Sequence, residues 1–272
     1  MALVVNSNIA SLNSQRALNN STNALSTNFE RLSSGKRINS AKDDAAGLQI
    51  SNRLTSQING LNQATRNAND GISLSQTAEG ALDEFTNALQ RMRTLSVQSA
   101  NGSNSINDRS ALDSEFQELA SELTRISDQA SFAGENLLNG DYIGKDFQIG
   151  ADGGQTIRLS IGQDFAASAI ISSPTVSTAA QASTAIGKID AALGTVSSTR
   201  ADLGAKQNRF SSIIRSNDNT AQNLSASRSR VMDTDYAVES ASLAKNSVLQ
   251  QASSSMLAQA NQQPQIALSL LQ

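Results

Sequence analysis

The sequence predicts a mainly α protein: a long antiparallel, coiled-coil-like helix bundle formed by its N- and C-terminal halves, with a small β-hairpin region in the middle. Three observations carry this. Apolar or small residues recur in sevens at Leu54, Leu61, Ala68, Ser75, Leu82 and Leu89, with a companion set at Gln57, Ala64, Gly71, Ala78, Phe85 and Met92. The sevens return at Ile189, Val196, Leu203, Phe210, Asn217, Leu224 and Val231. A sustained heptad lays one seam along a helix, and that seam must be covered by another helix. Between the two runs, from Gly140 to Ser173, the period changes to alternation.

Taken in order, Leu18, Leu25, Phe29 and Leu32 mark a first amphipathic helix among Asn, Ser and Thr. In "RLSSGKRINSAKDDAAG" the helical pattern stops. Gly35 acts there as a C-terminal stop, and Lys36 and Arg37 lie just past the helix end, where the macrodipole favours cations. "SAKD" from Ser40 to Asp43 fits a capping box, placing Asp43 and Asp44 in the first turn of the next helix, where anions are favoured. The first heptad helix then runs from about Ala45 to Ser99. After the turn "NGSNSIND", Leu112, Phe116, Leu119, Leu123, Ile126 and Ala130 mark a shorter helix lying back on it.

"DFQIGADGGQTIRLSI" sets Phe147 and Ile149 before, and Ile157, Leu159 and Ile161 after, a turn rich in Gly and Asp, which reads as a hairpin. "SSPTVSTAAQAST" follows as a polar linker. The second heptad helix runs from about Ala182 to Val231, with Asn217 as a polar member that costs stability but can fix register. Gly204 is either a tolerated glycine or a place where another backbone packs close. A last helix carries Ala237, Ala241, Ala244, Val248, Ala252, Met256 and Ala260.

Composition excludes several functions. Aromatics are 3% of 272 residues and Trp is absent, which suits thin helical layers rather than a thick core; two prolines leave long helices unbroken. A net charge of −3 argues against a nucleic-acid partner, which needs a basic surface. No apolar run approaches the roughly 20 residues that span a bilayer. Cys and His are both absent, removing disulfides, thiolate metal sites and the commonest general base, and no cofactor is expected. "SSGK" fits S-x-x-K, but the S-D-N and K-T-G elements of that chemistry are missing. It is not the end of a P-loop either, because Glu30 and Arg37 stand where Gly and Ser or Thr are needed. An enzyme is therefore not expected. "MALVVNSNIAS" offers no cleavable signal peptide, which taken alone says cytoplasmic.

The longer motifs resemble bacterial flagellin. "ERLSSGKRINSAKDDAAGLQISNRLTSQINGLNQATRNANDGISLSQTAEGAL", "LQRMRTLSVQSANG" and "FAGENLLNG" are similar to that family's N-terminal half. "KIDAALGTVSSTRADLGAKQNRF" and "SRVMDTDYAVESASLAKNSVLQQASSSMLAQANQQPQIALSLLQ" are similar to its C-terminal half. The large variable outer domains of longer flagellins are missing, and the polar linker lies where they would be inserted. The resemblance implies a structural subunit that self-assembles into the helical flagellar filament for swimming. It implies an inner filament-core domain of paired terminal helices, residues 1–44 and 233–272, whose apolar residues, among them Leu18, Leu25, Leu32, Val248, Met256, Leu257 and Leu270, pack in the filament. It implies an outer helical domain, 45–232, that includes the hairpin and linker at about 141–183, and a spoke between the two at Gly35, Lys36, Arg37, Asp43 and Asp44.

The resemblance also implies type III export without cleavage to an extracellular filament, a chaperone on the C-terminal helix, and contact with the filament cap and the hook-associated junction proteins. It implies recognition by the vertebrate Toll-like receptor for flagellin at Arg91, Leu95, Gln98 and Glu115; read from the sequence alone, Arg91 and Arg93 with Glu115 are more simply a solvated charged face. The linker hydroxyls Ser172, Ser173, Thr175, Ser177 and Thr178 are candidate glycosylation sites facing the filament exterior. A hook–filament junction protein and a secreted enzyme are the two rival readings.

Overall fold

The computed structural model describes residues 7–172 and 174–269. Six helices and four short strands follow in order: α1 (Ile9–Ser34), α2 (Ala45–Ala100), α3 (Ile106–Gln129), β1 (Ser131–Phe132), β2 (Glu135–Asn136), β3 (Tyr142–Gln148), β4 (Thr156–Ile161), α4 (Ala167–Ile170), α5 (Ala179–Met232) and α6 (Tyr236–Ser269). The chain divides into two compact units, Met1–Ser56 with Asn223–Gln272, and Gln57–Gln222.

In the unit Gln57–Gln222 the heptad seam of α2 is buried as its spacing requires. Leu61, Ala64, Ala68, Ala78, Leu82, Phe85, Leu89 and Met92 are all covered. From Ala68 onward they share clusters with Ile189, Val196, Leu203 and Phe210 of α5, and Phe116 and Leu123 of α3. The antiparallel register of α2 on α5 is fixed at its rim by three polar pairs: Arg93 with Asp190 at 2.7 Å, Asp83 with Arg200 at 3.1 Å, and Glu79 with Gln207 at 2.9 Å. The scarce aromatics are placed where layers meet: Phe85 is edge-on to Phe165 at 5.6 Å, and Phe147 to Phe210 at 5.8 Å. Gly71 is required at the latter site, because a Cβ there would lie 2.8 Å from the Phe210 ring.

β3 and β4 form an antiparallel hairpin with a register shift between Tyr142 and Lys145. Ile157, Leu159 and Ile161 point inward while Thr156, Arg158 and Ser160 point out, the alternation expected of a half-buried strand. β1 and β2 add a tight pair around Ala133 and Gly134, both with positive φ, the conformation of a two-residue hairpin turn. α3 opens with a reciprocal capping box between Ser105 and Asp108.

The stretch expected to be a free polar linker is instead stitched down. Ile171 and Val176 are fully buried, the Val176 N–H donates to Asp113 at 2.7 Å, Ser99 donates to the Val176 carbonyl, and Gln117 donates to the Pro174 carbonyl at 3.2 Å. α5 already begins at Ala179, with the Thr178 hydroxyl accepting from the Gln181 N–H at its start. The apolar residues scattered among the hydroxyls carry this segment into the core.

In the unit Met1–Ser56 with Asn223–Gln272, α1 packs along α6, and 45–56 of α2 accompanies 223–232 of α5, where Arg228 reaches Thr55 at 3.4 Å.

Candidate functional site

Between α1 and α2 the chain turns as Gly35 predicts, in the left-handed conformation at φ 70° that closes the helix. Two expectations for this spoke need correction. The Arg37 side chain does not serve the end of α1, and the backbone here pairs with the end of α5. Lys36 forms a backbone bridge with Asp233, the Arg37 N–H donates to the Met232 carbonyl at 2.6 Å, and the Arg37 guanidinium donates to the Val231 carbonyl at 2.7 Å. Arg37 therefore caps the C-terminus of α5, where unsatisfied carbonyls and the dipole both favour a cation.

Ser40 and Asp43 do not open α2 either. Asp43 accepts from the Asn39 and Ser40 N–H groups at 3.0 and 2.9 Å, closing a separate turn, and those donors hold its carboxyl below the usual range. The N-cap is Asp44, whose side chain accepts from the Gly47 N–H at 2.8 Å, one turn later than the sequence pattern suggests. Ile38, which sequence reasoning passed over, is buried at the centre of the turn against Gly47. A lone β-branched residue in a polar loop was the available signal.

The α1–α6 pair is joined by a seam of mixed polarity. Its buried residues include Ser21, Asn28, Glu239 and Ala260. Asn28 donates to Glu239 at 2.8 Å and accepts from Asn246 at 2.9 Å; Arg31 lies 3.9 Å from Glu239, and Tyr236 donates to the Leu32 carbonyl at 3.0 Å. Large apolar side chains face away: Ile9, Leu12, Phe29, Val238, Val248 at 67% exposure, Leu249 and Met256 at 61%. Val238, Leu249 and Met256 are whole helical turns apart, so they line one stripe of α6. Leu18, Leu25, Leu32 and Leu257 are half-buried. Leu270 lies outside the described residues.

A second surface lies on α2 and α3. Arg91 donates through both Nε and Nη2 to one oxygen of Glu115, at 2.8 and 2.6 Å, and both residues are exposed, as is Gln98. Arg93, two residues on, turns the other way to Asp190 on α5. Leu95 does not share this face. It is 1% exposed and belongs to the core, because it sits on the inner side of α2, so its side chain is not presented to a partner.

Of the linker hydroxyls, Ser172 is exposed, Thr175 and Ser177 are half-buried, and Ser173 lies outside the described residues. The Ser177 and Thr178 hydroxyls donate to Gln181. Gly204 has open space where a Cβ would stand, so among the described residues no other backbone approaches it. Among the described residues no cluster of carboxylates could hold a metal, and no helix is long and apolar enough to cross a membrane.

The model of the bacterial flagellin N-terminal helical region matches residues 5–142, and that of the bacterial flagellin C-terminal helical region matches 186–271. The chain belongs to the bacterial flagellin family. Flagellin B of Vibrio anguillarum is 40% identical over 375 aligned positions, and flagellin D of the same organism 41% over 376, each alignment covering all of both chains. Those alignments exceed the 272 residues of this flagellin because it lacks a large outer domain. The crystal structure of Bacillus cereus flagellin is similar with a TM-score of 0.51 and 29% identity, over 56% of this chain and 88% of that one. A Vibrio parahaemolyticus structure described as a flagellar hook-associated protein shares the fold, with a TM-score of 0.59, over 70% of this chain and all of that one, but is only 16% identical. Identity near 40% to flagellins along the whole chain therefore decides between filament subunit and junction protein. This flagellin is a structural subunit of the flagellar filament, serving motility.

Proposed function

We propose that the subunit polymerises through the apolar outer face of the α1–α6 pair, with a second copy of the chain as the occupant. One observation carries this: the pair buries Asn28 and Glu239 and turns Val248, Leu249 and Met256 outward. A helix pair that presents its hydrophobic residues to water is complete only when another surface covers them. A head-to-tail contact that does not close on itself propagates as a helical filament. In this reading residues 1–44 and 233–272 form the inner filament domain, and 45–232 the surrounding one, joined by the spoke from Gly35 to Asp44. The filament's mechanics are the function, and no residue turns over a substrate.

The remaining partners follow from the family. Export proceeds without cleavage through a type III apparatus, with a chaperone on the apolar stripe of α6 before assembly, and growth occurs beneath a cap on hook-associated proteins. The exposed Arg91, Gln98 and Glu115 face, with Leu95 supporting it from beneath, is the surface for the vertebrate Toll-like receptor. Among the described linker hydroxyls, Ser172 and Thr175 are the least committed to other bonds and the first candidates for O-linked glycans.

The test is negative-stain microscopy of purified protein with added salt, alongside Val248→Asp with Met256→Asp. Long uniform filaments from the natural chain, and none from a variant whose helical melt is unchanged, are expected. Filaments from both would place the assembly surface elsewhere.

A further inference from the structure

The chain contains three Asn-Gly steps, at Asn59, Asn101 and Asn139. Such a step favours loss of the side-chain amide, because glycine leaves its backbone nitrogen unhindered. The local structures around the three differ sharply. We infer that the fold selects Asn101, in the turn between α2 and α3, as a site of spontaneous conversion to aspartate and isoaspartate.

The reaction needs an accessible backbone nitrogen, a polarised side-chain carbonyl, and stabilisation of the deprotonated peptide. Asn101 has all three. Its residue and Gly102 are exposed, and the Gly102 N–H finds no acceptor among the described residues. The Asn101 side-chain carbonyl accepts from the Ser103 N–H at 3.2 Å, which folds it over the following peptide and makes its carbon more electrophilic. The Asn101 main-chain carbonyl accepts from the Arg109 guanidinium at 3.0 Å and the Asn104 N–H at 3.3 Å. That carbonyl shares its peptide with the Gly102 nitrogen, so a cation on its oxygen stabilises the amidate formed when the proton leaves.

The covalent steps balance with water alone. The Gly102 nitrogen loses its proton and bonds to Cγ of Asn101; the bond from Cγ to Nδ2 breaks and ammonia leaves, closing a five-membered imide. Water then opens the imide at either carbonyl. One product is aspartate; the other is isoaspartate, which carries the main chain through Cγ and lengthens the turn by one methylene. Both place a new carboxylate beside Arg109.

The other two steps are closed. Asn59–Gly60 lies inside α2, where the Gly60 N–H is held in the helical ladder and Ala151 crowds the glycine. At Asn139 the side-chain carbonyl likewise accepts from the N–H two residues on, Asp141, at 3.1 Å, but Asn139 and Gly140 are half-buried. The side-chain amide there donates to the Asp141 carboxylate at 2.8 Å, and that anion opposes deprotonation of the neighbouring peptide.

The test is to hold the folded full chain, and the same chain in urea, at mildly alkaline pH, mapping peptides by a separation that resolves isoaspartate. Product should accumulate at Asn101 well ahead of Asn139 and Asn59 in the folded protein, and the three should converge in urea. Gly102→Ala is the control, since its Cβ meets nothing and its φ is not positive. It should melt as the natural chain does and lose the Asn101 product. Arg109→Gln should slow conversion in the folded protein and leave the rate in urea unchanged. Conversion led by Asn139 or Asn59 in the folded chain, or equal rates for Arg109→Gln and the natural protein, would overturn the assignment.

Discussion

Asn67 of α2 and Asn217 of α5 grip consecutive carbonyls at the end of one strand. The Asn67 amide donates to Gln148 and the Asn217 amide to Ile149, each at 2.9 Å. The polar member of the α5 heptad thus holds the hairpin turn against both long helices, where an apolar residue would leave a strand-end carbonyl without a donor. Asn217→Leu should cost the monomer about 1–3 kcal/mol, the range for stranding a buried acceptor. Urea melts compared with Asn67→Ala and the double variant would reveal coupling if both amides hold one turn. Simple additivity would mean that they act separately.

Gly71 and Gly204 occupy equivalent-looking places in the two heptad helices but differ in surroundings. Gly71→Ala drives a methyl into Phe210 and should destabilise the monomer by about 1–3 kcal/mol. Gly204→Ala meets open space and should stabilise it by about 0.4–1 kcal/mol. Thermal melts should order the two variants on opposite sides of the natural chain. Filaments of Gly204→Ala with altered waveform would add that a neighbouring subunit packs at that position.

Arg91→Ala with Glu115→Ala removes the exposed pair joining α2 and α3. An exposed pair contributes only about 0–1 kcal/mol, so the helices should melt nearly as before. Signalling by the innate receptor at matched monomer concentration should fall. Signalling that did not change would separate this surface from recognition.

Acid should weaken the monomer through identifiable groups. Arg93 holds the Asp190 carboxyl below its usual range, Arg158 does the same for Asp146, and Ser105 for Asp108. A depressed carboxyl contributes stability that is full above its unfolded value near 4 and is lost as pH falls through the lower folded value. Melting temperature should therefore hold between pH 5 and 7, as an approximate window, and decline below about 4. Asp190→Asn should shallow that decline.

The long helices and hairpin were legible because their patterns are local. A heptad declares its seam, and α2 begins at Ala45 as the spacing predicts. What sequence could not supply was pairing between distant residues. Ser40 and Asp43 satisfy the capping pattern, yet the helix waits for Asp44, because the Asn39 and Ser40 N–H groups already occupy Asp43. Arg37 reads as a cap for the helix just finished, but the free carbonyls nearest it in space belong to α5. The resemblance counts Leu95 in a receptor-facing set, although its position on α2 turns it inward. Least visible was the α1–α6 pair, whose most buried side chains include Ser21, Asn28 and Glu239, which a hydrophobic pattern places outside.

The proposed assembly surface lies on that pair. Its described large apolar side chains are half-buried or exposed, so it gains little from pairing in a lone subunit, and isolated helices are marginal in water. Amide hydrogen exchange over Val248 to Leu257, measured on the monomer and on the assembled filament, tests the idea directly. Weak protection in the monomer, with strong protection appearing only in the filament, is the expected result. Strong protection there before assembly would contradict it, because α6 would then be complete without a neighbour.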